Sequence, residues 1–230
     1  MYDEDAARPE NSLAAFAYAA DRGIPFEFDV QLTADGVPIV LHDADTTRMT
    51  GAGGPVRGLA KADVDRLRLA GTDERVPTLD DVLALVDGRV PMVVDVRRWT
   101  IGGPGRLEQV VADRLHGYDP DTVAQSFDPI AVRRMRSLMP DRAIGQASGS
   151  LASATPILRL LGRMMLTNAV TRPDFVTFEL AELPDRYASF WRTAQRPLIG
   201  YTAHSPAEEL RARDLVDGFF FSGYLPAVYA

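Results

Sequence analysis

The 230-residue sequence contains no cysteine. Disulfide frameworks, thiolate zinc sites and cysteine nucleophiles are thereby excluded, and any metal chemistry has to run on oxygen and imidazole ligands. Lysine is nearly as scarce, since of 25 basic residues only Lys61 is one, which takes functional weight off any single exchange of lysine for arginine. Basic charge as a whole is outnumbered by 32 acidic side chains, for a net charge of -7. Such a balance attracts neither nucleic acid nor an anionic membrane. No apolar run approaches the roughly 18 to 20 residues of a spanning helix. The start Met1-Tyr2-Asp3-Glu4-Asp5 is the opposite of a basic signal-peptide opening. A soluble, cytoplasmic protein is the expectation.

What is present reads as globular. An apolar share of 46% supports a sizeable core, and 25% charged residues are too mixed with apolar ones for a disordered chain. The length allows one large domain or two small ones, and no low-complexity linker divides it, so a single domain over residues 1–230 is expected.

Hydrophobic period alternates between helix and strand along the chain. A helix opens at Asn11 or Ser12 and Gly23 is placed to end it; Phe26 to Leu32 alternates as a strand, and Pro38 to His42 is a second extended run after the Ala34-Asp35-Gly36 turn. Helices are predicted at Lys61 to Leu69 and after the Thr78 cap, where Leu79, Val82, Leu83 and Val86 share a face. Strands follow at Met92 to Val96, Val123 to Ser126, Ala143 to Ala147, Phe175 to Phe178, Leu198 to Tyr201 and Gly218 to Phe221. Helices at Leu107 to Leu115, Pro129 to Leu138, Ile157 to Leu166, Arg186 to Thr193 and Pro206 to Arg213 separate them. Repeated βα units imply parallel strands, and seven principal ones are predicted.

The chemistry-bearing residues gather at strand ends. Glu27 and Asp29 lie two apart on one strand and therefore on one face. His42, Asp43 and Asp45 follow the next extended run, and Asp95 interrupts an apolar strand, where an uncompensated carboxylate costs several kcal/mol. A site for a hard cation and salt bridges to neighbouring arginines both account for these carboxylates. The glycine runs Gly51 to Gly54 and Gly102 to Gly105 lack the Gly-Lys-Ser or Gly-Lys-Thr ending of a phosphate loop and read as turns.

These residues, with their surroundings, resemble the glycerophosphodiester phosphodiesterase family in order along nearly the whole chain. Arg8-Pro9-Glu10-Asn11 is similar to the family's segment leading into its first helix, Phe26 to Gly36 to its Glu-Leu-Asp-Val strand and turn, and His42-Asp43 with Arg48, Thr50 and Gly51 to its His-Asp loop. Val76-Pro77-Thr78-Leu79, Ser126-Phe127-Asp128 and Asp217-Gly218 fall where the family has equivalent stretches. The resemblance implies an α/β TIM barrel and metal-assisted hydrolysis of a glycerophosphodiester to sn-glycerol 3-phosphate and an alcohol. It implies Glu27, Asp29 and Asp95 as ligands of Ca²⁺ or Mg²⁺, with Asp95 standing for the family's usual glutamate. It also implies His42 as a catalytic histidine, and Arg97 as a phosphate clamp where the family has lysine. Tyr201 stands where the family often has tryptophan, and with His204 is expected to bind substrate.

The family begins with a strand ending in His-Arg-Gly, which supplies another catalytic histidine and a phosphate-binding arginine, and this tripeptide is absent from the sequence. The expectation is a barrel lacking its first strand through a late start or truncation. The alternatives are a non-catalytic protein that binds metal or phosphodiester, and a diesterase acting on lysophospholipids or sphingolipids. The expected partner is a small-molecule glycerophosphodiester; self-association is allowed, while nucleic acid and stable membrane insertion are not expected.

Overall fold

Alternation of strand and helix is the organising feature of the computed structural model, which describes residues 8–99, 103–149, 162, 164–194 and 196–229. The chain divides into two units, Met1–Trp99 with Gly103–Val123, and Thr100–Gly102 with Ala124–Ala230.

In the first unit, Ser12 caps helix α1 (Leu13–Asp21) by accepting from the Ala15 amide at 3.1 Å. Strand β1 (Phe26–Leu32) turns through Thr33 to Val37, where Gly36 takes a φ of +85, into the antiparallel β2 (Pro38–Val40) with Val30 opposite Val40. Short helices α2 (Thr47–Thr50) and α3 (Lys61–Val64) precede α4 (Leu79–Val86), whose start is a capping box of Thr78 and Asp81. Strand β3 (Met92–Val96) lies parallel to β1, with Asp29 opposite Asp95, and α5 (Arg106–Leu115) follows. Period 2 sends Phe26, Phe28 and Val30 to one side of β1, where Phe26 stacks on Phe16 of α1 at 4.7 Å. The opposite side is left to Glu27, Asp29 and Gln31.

The second unit is a parallel ladder. Strands β4 (Val123–Ser126), β5 (Ile144–Ser148), β6 (Phe175–Glu179), β7 (Leu198–Ala203) and β8 (Gly218–Phe221) pair in sequence order. Between them lie α6 (Pro129–Leu138), α7 (Asn168–Thr171), α8 (Arg186–Thr193) and α9 (Pro206–Leu215). Asp128, Asp185 and Ser205 cap the three long helices with their own side chains, and proline follows directly at Pro129 and Pro206. Val176, Phe178, Leu198, Ala188 and Ala212 are buried together as the core between strands and helices.

Among the described residues the seven principal strands appear where period and punctuation put them, and Pro38–Val40 adds an antiparallel eighth. The helix predicted from Lys61 to Leu69 is broken instead. Val64 and Leu69 are both fully buried with Ile39, Leu41 and Met49, and five residues of helix would turn them about 140° apart. The chain therefore leaves the helix after Val64 and enters a 3-10 turn at Leu69–Gly71. The helix predicted at Ile157 to Leu166 lies largely outside the described residues. At its end Met165 has a φ of +50, outside helical backbone, so the predicted helix does not run through this residue. Among the described residues no helix is long and apolar enough to cross a membrane.

At Gly145 a Cβ would stand 2.3 Å from the Phe175 ring, so β5 approaches β6 through a missing side chain. Gly145→Ala is expected to lower the unfolding free energy by about 2 kcal/mol, measured by urea denaturation, because the ring has to leave its packed position.

Candidate active site

The parallel register of β1 and β3 sets the site. Residues opposite one another on adjacent parallel strands point to the same face about 4.8 Å apart, so Asp29 and Asp95 stand side by side, with Glu27 one step back along β1. The three carboxylates offer oxygen atoms that all lie within 4.8 Å of one another. Asp29 and Asp95 are buried. Asn11, just ahead of α1, donates its side-chain amide to Asp29 Oδ2 at 3.2 Å. Arg97, two residues beyond Asp95 on the same face, reaches back so that Nη1 lies 3.5 Å from Asp29 and 3.6 Å from Asp95.

Among the described residues Arg97 is the guanidinium that reaches both Asp29 and Asp95. Burial pushes the Glu27 carboxyl well above its ordinary value of 4.5, and the neighbouring charges of Asp29 and Asp95 push it further, against the pull of Arg97. Close, oxygen-only donors of this kind, two of them buried, match the ligand preference of a hard divalent cation, so the residues present fit such an ion.

The His42 loop meets the cluster through Arg97, whose Nη2 contacts His42 Nε2. The other ring nitrogen, Nδ1, lies 2.7 Å from Asp43 Oδ1. With the proton on Nδ1 donated to Asp43, Nε2 accepts from Arg97. Asp43 is held in turn by Arg48, which also bonds Glu10 at 2.8 Å. Burial alone would raise the Asp43 carboxyl, but hydrogen bonds and charge from Arg48 and His42 outweigh it and hold Asp43 below its ordinary value. Asp45 is otherwise engaged, accepting from the Thr47 amide at 2.8 Å and from its hydroxyl at 2.5 Å. His42, Arg97 and the three carboxylates are therefore one connected set in the first unit, and Asp45 stabilises a turn.

Tyr201 and His204 belong to the second unit. Tyr201 is opposite Glu179 on the adjacent strand, donates its hydroxyl to the Ser148 carbonyl at 2.8 Å and packs edge-on against Phe127. The two line a cavity of about 350 Å³ together with Glu179, Thr202, Glu208 and Arg211. His204 is exposed, and its backbone amide donates to Glu208 at 2.7 Å.

Three participants were given no role of their own from the sequence: Asn11, whose partner is Asp29, and Gln31 and Trp99, which bond each other at 3.0 Å. Gln31 shares the period-2 face of Glu27 and Asp29, which was the one clue available.

Comparison with known proteins bears on the family and the fold. The glycerophosphoryl diester phosphodiesterase family profile matches residues 4–177. A glycerophosphodiester phosphodiesterase of Caldanaerobacter subterraneus subsp. tengcongensis is 30% identical over 148 residues, which cover 60% of this chain and 60% of that protein. The chain thus matches less than two thirds of that relative's length. Among solved structures, an Oleispira antarctica phosphodiesterase in complex with its product sn-glycerol-3-phosphate superposes with a TM-score of 0.76 at 19% identity, over 95% of this chain and 89% of the other. The glycerophosphodiester phosphodiesterase of Thermotoga maritima gives 0.73 at 20% identity, over 95% and 90%. The structural likeness shows the fold, an α/β barrel of the TIM class as the sequence resemblance implied. With its profile matched over most of its length, the chain belongs to the glycerophosphoryl diester phosphodiesterase family.

Proposed function

We propose that this protein hydrolyses glycerophosphodiesters to sn-glycerol 3-phosphate and an alcohol with the help of a divalent cation, Ca²⁺ or Mg²⁺. The observation that carries the proposal is the cluster of Glu27, Asp29 and Asp95, with oxygens within 4.8 Å, joined through Arg97 to His42 in a chain of this family.

In this reading Glu27, Asp29 and Asp95 would hold the cation, which would supply Lewis-acid polarisation of a phosphoryl oxygen and offset charge on the phosphate. Arg97 turns its guanidinium from the carboxylates to the phosphate, a pairing that its planar fork suits. That movement exposes His42 Nε2, which takes up a proton from solvent and delivers it to the alcohol oxygen as a water oxygen bonds to phosphorus and gives its proton to solvent, the P–O bond breaks and its electrons leave with the alcohol oxygen. Asp43 keeps the ring oriented throughout through Nδ1, and Arg48 keeps Asp43 in place. Asn11 fixes the Asp29 carboxylate by binding one of its oxygens. Tyr201 and His204 serve substrate binding through the cavity that they line. The setting is taken to be the cytoplasm, in keeping with a net charge of -7 that disfavours anionic membranes, and the partner a small diester.

A second reading, a protein that binds phosphodiester without turnover, is favoured by one observation: Arg97 is bound to Asp29 and Asp95 and covers His42 Nε2.

Release of glycerol 3-phosphate from glycerophosphocholine with Mg²⁺ or Ca²⁺, against a chelator control, separates the two. Turnover in the cation and none in the chelator is expected, and tight binding of glycerol 3-phosphate without turnover would favour the second reading. Comparing soluble with acylated diesters identifies a lysophospholipid preference. Asp29→Ala or Glu27→Ala is expected to lower turnover by about 10³-fold or more, and retained activity in either variant would sink the proposal. His42→Gln is expected to cost about 10²- to 10⁴-fold in kcat.

The cluster also makes a stability prediction. A carboxyl whose folded pKa is raised contributes stability below its unfolded value, here 4.5, and loses that contribution as pH rises through the folded value. In chelator at neutral pH, Glu27→Gln is therefore expected to raise Tm relative to the parent, with the gain vanishing below about pH 4.5. Calorimetric scans across that range check it, and a lower Tm at neutral pH would contradict the charge argument.

A further inference from the structure

Gln31 is almost wholly buried, on the β1 face that carries Glu27 and Asp29. Its Nε2 lies 2.6 Å from the Leu41 carbonyl oxygen, 3.2 Å from that of His42 and 2.7 Å from that of Asp43. An amide nitrogen has two hydrogens, so three successive carbonyls converge on two donors and the loop is wound around this one group. The other end of the amide, Oε1, accepts from the Trp99 indole at 3.0 Å. Trp99 is 49% exposed, yet its ring is fixed by that bond, with the Arg97 guanidinium 5.2 Å from its centre and the His42 ring edge-on at 6.4 Å. One side chain thus holds the backbone of His42 and the aromatic ring against which His42 and Arg97 both rest.

We propose that Gln31 is a positioning residue for the proton transfer from His42 to the departing alcohol, an inference that rests on the diesterase reading above. Gln31 sits on the strand that carries two of the three carboxylates, so it fixes the acid relative to the same face that holds the phosphate. Only a side chain of this length with two donors and an acceptor serves. Glutamate would set an oxygen against three carbonyl oxygens, and methionine keeps the length but loses every bond. The carboxylates are placed by strand register and keep their positions without it.

The leaving group separates this role from general support of the fold. An alkoxide needs a proton as it departs, whereas a 4-nitrophenolate leaves without one. Gln31→Met is expected to lower kcat for glycerophosphocholine by about 10²-fold with KM changed less than about threefold. Turnover of the glycerol phosphate 4-nitrophenyl diester should fall by less than about threefold. Mg²⁺ or Ca²⁺ affinity, read from the rise of Tm on cation titration, should stay within about threefold of the parent. Equal losses on both substrates, or no loss on either, would overturn the proposal. Should Gln31→Met fail to fold, Trp99→Phe removes the donor to Oε1 and keeps a ring. It is expected to show the same substrate dependence at about three- to tenfold, and an equal effect on both diesters would again overturn it. If the parent turns over neither substrate in either cation, the diesterase reading itself fails and carries this inference with it.

Discussion

Repulsion among three carboxylates on two neighbouring strands is the constraint around which this end of the molecule is built. The parallel register of β1 and β3 makes Asp29 and Asp95 direct neighbours, and period 2 brings Glu27 to the same side. Hydrophobic packing of Phe26, Phe28 and Val30 against helices on the other face fixes the strand, so the carboxylates cannot relax apart by turning away. The surrounding polar groups read as responses to that confinement. Asn11 binds one oxygen of Asp29, and Arg97 supplies a positive charge to both aspartates. A cation would complete the compensation with oxygen donors already in place.

From this cluster the order extends outward by single contacts. Arg97 meets His42, His42 meets Asp43, and Asp43 meets Arg48, which reaches Glu10. Donor and acceptor meet at each of these contacts, so each group is oriented by the next. The proton carrier is placed by a loop while the carboxylates are placed by strands, and Gln31 joins the two systems. Strand positions are set by ladder hydrogen bonds and core packing, and loop positions by individual side-chain bonds, which is why one buried amide carries so much of the geometry.

What could be read in the sequence followed from local rules. Period and punctuation placed the seven principal strands and the long helices, and Thr78 could be read as a cap because it acts on an amide within its own first turn. Glu27 and Asp29 could be put on one face because alternation is a local property. The motif resemblance, not the pattern, brought Asp95 to them. Lys61 to Leu69 was misread as one helix because Val64 and Leu69 answer to a shared core rather than to helical spacing. The links through Gln31 and Trp99 could not be read at all, because Gln31 binds backbone carbonyls that every residue possesses and Trp99 lies 68 positions away. Glu108 is a similar case: fully buried on α5, it pairs with Arg98, a partner that no local pattern specifies.

The caps of α6, α8 and α9 bear on how such a protein can diversify. Each helix begins with an acceptor directly ahead of its first turn, so its first amides are satisfied locally. Exchanges in those connections that keep the cap leave the helix start intact. Natural variation can then accumulate where strands deliver their ends, and new specificities can be explored without renegotiating the framework.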